Sequence, residues 1–150
     1  DALHCQKETL KQLISRNADY LVQVKGNQKK LYSAINDLFM QHYESENSGI
    51  KSHVTQNKGH GRQEVRTVDC LDASLLSVEI KENWPSIKTI IAVQRERKKG
   101  VRTSISTHFY LTSVTDNALI SKAIRHHWLI ENQQHWISCL KRMHLKYTIR

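Results

Sequence analysis

Two carboxylates and two groups of cations are the residues whose types and spacing could do chemistry here. Glu131 stands in the run Arg125-His126-His127-Trp128-Leu129-Ile130-Glu131-Asn132-Gln133-Gln134-His135-Trp136. On a helix, His127, Glu131 and His135 recur every four residues and share a face. Two imidazoles and a carboxylate so placed could hold zinc, but the spacing is not the H-E-x-x-H of zinc hydrolases. The same stripe also reads as an ordinary polar helix face. Asp1 precedes a helix-forming stretch, where a carboxylate serves as a cap or as a metal ligand.

The cations point to phosphate. Lys58-Gly59-His60-Gly61-Arg62 joins flexible backbone to charge: glycines let main-chain amides approach a phosphate, and Lys and Arg supply the counter-charge. The run is not a Walker sequence, and a solvated loop is the competing reading. Arg66 extends the patch along the residues that follow. A second group, Arg95, Arg97, Lys98, Lys99 and Arg102, falls at a hairpin tip. It reads as solvated charge that could also touch a DNA backbone.

Composition agrees with a polyanionic partner. Lys and Arg number 23 against 14 Asp and Glu, a formal charge of +9 with His neutral; the sequence pI is about 9.6. Such an excess favours nucleic acid. At 39% hydrophobic and 25% charged residues, the 150-residue chain has the make-up of one globular domain and not of a disordered segment. No run approaches the ~18 apolar residues that read as a membrane span. No secretory signal is visible, so a cytoplasmic protein without a membrane partner is expected. Cys5, Cys70 and Cys139 are far apart and odd in number. That argues against a disulfide framework and fits a reducing compartment.

These residues need elements to hold them. Leu10, Leu13 and Ile14 predict an amphipathic helix over 6–17, and Leu31, Ile35, Leu38 and Phe39 a second over 28–43. Between them, 20–25 reads as a short strand closed by the turn signal Gly26-Asn27. Residues 44–62 are polar and glycine-bearing and read as loop with at most one short strand. A strand is expected over 63–71, with Val65, Thr67 and Asp69 on one side and Glu64, Arg66 and Val68 on the other. A short helix or turn over 73–83 ends at Trp84-Pro85. Residues 87–95 and 102–113 read as a hairpin, with its tip at Lys98-Lys99-Gly100. A last helix is expected over about 117–137, from a cap at Asp116. The order predicts a mixed α/β chain with a β-rich middle.

In this order the segments resemble the H-repeat-associated insertion-sequence transposases, the ISAs1 family. The resemblance is carried by Asp1-Ala2 with Cys5-Gln6-Lys7, by Asp19-Tyr20, and by Lys25-Gly26-Asn27-Gln28. It continues through Lys58-Gly59-His60-Gly61-Arg62 with Glu64 and Arg66, through Trp84-Pro85, and through Tyr110-Leu111-Thr112-Ser113. Its most telling part is Arg125 with His127-Trp128, Ile130-Glu131-Asn132 and His135-Trp136.

The resemblance implies a partial RNase H-like fold with a β-rich insertion over about 44–113 and a catalytic helix over about 117–137. It also implies DDE chemistry, in which three carboxylates hold two divalent ions, Mg²⁺ or Mn²⁺. By the match, Asp1 is the second carboxylate and Glu131 the third, both catalytic and both metal ligands. The family's first carboxylate lies on an earlier strand, so a single incomplete domain without its N-terminal strands is expected, with activity lost. Lys25, Lys58, His60, Arg62, Arg66, Arg125 and His127 are the expected DNA contacts. Insertion-sequence ends and target DNA are the expected partners, with a homodimer implied by the family. After Trp136 the sequence leaves the family's acidic pattern. A one-base shift of frame can turn Leu140 to Tyr147 into F-K-E-D-A-S-K-I, so 138–150 reads as a frame-shifted tail.

Overall fold

The computed structural model describes residues 5–46, 48–59 and 61–126. Asp1, His60, His127 and Glu131 lie outside the described residues, as does the stretch 138–150. Contacts divide the chain into two units, Asp1–Asn117 and Ala118–Arg150.

The first unit is a five-stranded antiparallel sheet with helices on one face. Its elements are α1 (Lys7–Ser15), β1 (Leu21–Val24), α2 (Lys29–Tyr43), β2 (Lys51–Gly59), β3 (Arg62–Asp72), a 3₁₀ turn (Ala73–Leu75), α3 (Val78–Asn83), β4 (Thr89–Lys99) and β5 (Arg102–Thr112). The strand order is β1-β5-β4-β3-β2. Mixed α/β architecture with such a sheet agrees with the expected partial RNase H-like fold.

The apolar stripes decide which face the helices cover. Leu10 of α1 and Leu31, Ile35 and Phe39 of α2 bury against Leu71, Ile90, Ala92, Phe109 and Leu111 of the sheet, with Val24 and Trp84 in the same cluster. Paired residues of antiparallel strands share a face, and alternate residues along a strand share one too. Leu71 pairs with Ile90, and Ile90 with Leu111, so these side chains point together toward the helices. The opposite face carries Val68, Cys70, Ile91 and Val93, which are also buried. Both faces are thus apolar at this end of the sheet.

Several segments quoted for the resemblance meet in space. Tyr20 N–H donates to Ser113 Oγ at 3.0 Å, Thr112 Oγ1 donates to Tyr20 O at 2.5 Å, and Ser113 Oγ donates to Asp19 Oδ1 at 2.8 Å. Tyr20 Oη donates to Pro85 O at 2.7 Å. Gln28 Nε2 donates to Cys5 O at 3.0 Å, and Lys7 Nζ lies 5.8 Å from the centre of the Trp84 ring. These bonds lock edge strand β1, the start of α2 and the loop after α3 onto the sheet. That gives the motif residues an architectural job: they satisfy buried polar groups that burial would otherwise penalise.

The helices expected over 6–17 and 28–43, the short helix within 73–83, and the strands over 20–25, 63–71, 87–95 and 102–113 are present with small shifts of their ends. Residues 51–59 differ. They were expected to be mostly loop and form a nine-residue strand, β2, paired with β3 from Lys51–Cys70 to Gly59–Arg62. Its side chains are nearly all exposed. An edge strand held chiefly by main-chain hydrogen bonds leaves no alternating apolar pattern to read. Of the helix expected over 117–137, residues 117–126 are helical, all but the first in the second unit, and the rest lies outside the described residues. Within this helix Ile120, Ser121 and Ile124 are buried and Arg125 is exposed.

Candidate nucleic-acid interface

Two tight hairpins set the cations. Only residues 60 and 61 separate β2 from β3, and only Gly100 and Val101 separate β4 from β5. Gly61 and Gly100 have φ of 71° and 59°, the left-handed region that glycine enters without cost and that two-residue loops demand. With β3 and β4 adjacent and antiparallel, both tips project from the same end of the sheet. Lys58, Gly59, Gly61, Arg62, Gln63, Lys98 and Gly100 line an open pocket of about 390 Å³ between them.

Of the expected DNA contacts, the structure brings Lys58 and Arg62 together at this end, both exposed. Lys25 follows β1 and is half-buried; its carbonyl accepts from Gln28 N–H in the turn before α2. Arg125 is exposed on the helix of the second unit. Arg66 is buried, and its Nη2 donates to Glu64 Oε1 at 2.6 Å.

That contact belongs to a constellation the sequence does not announce. Arg97 Nε donates to Glu64 Oε2 at 3.0 Å, and Arg95 Nε stands 3.6 Å from Oε1. One carboxylate therefore collects three guanidiniums. Burial pushes the Glu64 carboxyl up; Arg95, the bond from Arg97, and Arg66 together outweigh it and hold the group below the ordinary carboxylate value. Burial, with Arg97 and Arg66 adding repulsion that Glu64 partly offsets, pushes Arg95 down to about 10. Arg95 thus remains a cation at neutral pH. The expectation of a wholly solvated tip fails at this residue, which is only 7% exposed. The sequence signal was the period of two in Glu64-x-Arg66 and Arg95-x-Arg97. What it lacked was the β3–β4 register, which sets Glu64 opposite Arg97 and Arg66 opposite Arg95.

Among the described residues, no cluster of three His, Cys, Asp or Glu could hold a metal ion. The two carboxylates expected to do so lie outside those residues. Among the described residues, no helix is long and apolar enough to cross a membrane.

Comparison with known proteins agrees with the motifs. Residues 1–149 match the family model "Transposase DDE domain". The chain is 33% identical over 145 residues to "Putative transposase YncI" of Escherichia coli O157:H7, covering 94% of this chain and 37% of that protein. It is 31% identical over 143 residues to "H repeat-associated putative transposase YhhI" of Escherichia coli K12, covering 91% and 37%. The chain therefore spans just over a third of the length of these relatives. No solved structure matches it significantly. A match running nearly the whole length of this chain places it in the DDE transposase family, in its H-repeat-associated group.

Proposed function

We propose that this chain serves DNA transposition through divalent-metal-dependent cleavage and strand transfer at insertion-sequence ends. The match of residues 1–149 to the transposase domain carries the reading. In it, Asp1 and Glu131 hold the metal; their carboxylate oxygens are the donors that Mg²⁺ or Mn²⁺ prefers. When bound, such ions activate the attacking oxygen and stabilise the leaving one. Lys25, Lys58, His60, Arg62, Arg66, Arg125 and His127 are the DNA contacts of this reading, and two chains act on paired ends. A second reading is a DNA-binding chain without chemistry. It is favoured by the exposed cations at the hairpin end of the sheet, which need no metal to hold a phosphate backbone.

One experiment separates the readings. The purified chain and a full-length relative are given supercoiled plasmid with and without Mg²⁺, and labelled duplex in a parallel binding assay. The first reading expects salt-dependent binding by both and Mg²⁺-dependent nicking by the relative, in which Gln in place of the glutamate matching Glu131 removes nicking while binding stays. Binding without nicking selects the second reading. Absence of duplex binding overturns both.

A further inference from the structure

The outer half of the sheet carries its charge on one side. Arg62 pairs with Lys99, and Lys99 with Arg102; Glu64 pairs with Arg97, and Arg66 with Arg95. By the alternation of strands, all these side chains share one face. There Glu64 is the single carboxylate among six cations. The other face of the same stretch carries Lys58 and Lys98 on either side of Gln63, and in the next row Glu96 between Val65 and Ile105.

Three of the cross-strand pairs are like-charged: Arg62–Lys99, Lys99–Arg102 and Arg66–Arg95. Like charges directly opposite each other destabilise a ladder. Glu64 relieves the inner pair, since it contacts Arg66, Arg95 and Arg97. The outer residues Arg62, Lys99 and Arg102 are exposed, and none of them has a carboxylate opposite it in the register. Arg97 links the two zones. Its Nε is fixed on Glu64, while 38% of its side chain stays exposed. A guanidinium held by one edge loses little further freedom when an anion arrives. These strand positions carry no aromatic side chain, so the face offers charge and not the stacking that single strands use.

We propose that this face binds the phosphate backbone of duplex DNA through Arg62, Arg97, Lys99 and Arg102, with Glu64 as the residue that positions Arg97. The proposal rests on the DNA-binding reading above and sharpens it: one side of the β3–β5 sheet is the contact surface, and Lys98, on the other side, is not part of it.

The test measures binding of the full chain to a labelled random-sequence duplex by fluorescence anisotropy across a salt series. Arg62→Ala, Lys99→Ala and Arg102→Ala each weaken binding several-fold, and each takes about 0.9 off the slope of log affinity against log salt. Lys98→Ala removes the same charge and leaves affinity and slope near the parent values. Arg97→Lys keeps its charge, loses its Nε anchor and weakens binding. Glu64→Gln, which makes the chain more positive, weakens binding too. Circular dichroism checks that each variant folds; should Glu64→Gln unfold, Arg97→Lys decides the positioning role. Equal losses on both faces overturn the one-sided surface while leaving DNA binding intact. Tighter binding by a folded Glu64→Gln overturns the positioning role. A parent chain that binds no duplex overturns the DNA-binding reading and this surface with it.

Discussion

A carboxylate buried among guanidiniums is costly unless its geometry is good, and Glu64 has three partners within 3.6 Å. Its carboxyl titrates below the ordinary value of 4.5 in the folded chain. A group depressed in this way stabilises the fold above its unfolded pKa, and that contribution is lost as pH falls through the folded pKa. The loss therefore begins near pH 4.5 and grows on further acidification. Urea midpoints measured between pH 7 and pH 3 are expected to fall steeply at the acid end for the parent. In Glu64→Gln they start lower, because three guanidiniums lose their counter-charge, and they respond less to acid. Parallel curves for the two proteins would contradict the role given to Glu64. Asp69 makes a second buried node, accepting from Tyr43 Oη at 2.6 Å and Ser52 Oγ at 2.5 Å. It ties the end of α2 to β2 and β3. The sequence shows both acids on β3 but, apart from Arg66 beside Glu64, not their partners, which are 17 to 33 residues away in the chain.

Helix α2 shows what periodicity reveals and where it stops. Leu31, Ile35 and Phe39 recur every four residues, and all three are buried as the stripe predicts. The ring of Phe39 stacks on Phe109 of β5 at 6.0 Å with planes 15° apart, and Tyr32 meets Phe109 edge-on at 5.0 Å. Phe39→Ala empties the middle of this cluster and is expected to cost ~3–5 kcal/mol, read as a shift of the denaturant midpoint. Met40→Ala, one residue on and half exposed, serves as the control and costs little. Strand β2 is the reverse case. Its exposed polar side chains carry no stripe, and its identity comes from β3, whose main chain pairs with it. Such an element is invisible until its partner is known.

At the scale of the first unit, the sheet is buried on both faces at one end and charged on one face at the other. Cys5 belongs to the cluster under the helices, whereas Cys70 lies on the opposite face, and both are free thiols. Burial pushes each thiol up to about 11, so at neutral pH both are protonated as well as shielded. In a Cys139→Ser background, labelling of Cys5 and Cys70 by a thiol reagent is expected to be slow in buffer. Both are expected to become reactive at the same urea concentration, because the same sheet shields Cys5 on one face and carries Cys70 on the other. Separate midpoints would show that the two faces come apart independently.

The chain's charge, its amphipathic helices, its β-rich middle and its family membership are all properties of residue type and short spacing. These survive in a one-dimensional string, because helix and strand periods are local. The sorting of the cations is not local. Arg95, Lys98 and Lys99 look alike in the sequence, yet Arg95 is buried beside Glu64 while Lys98 and Lys99 are exposed on opposite faces of β4. Strand register made that division: a shift by one residue would turn every one of these side chains to the other side. Register is set by pairing between segments far apart in the chain, and only the folded sheet fixes it.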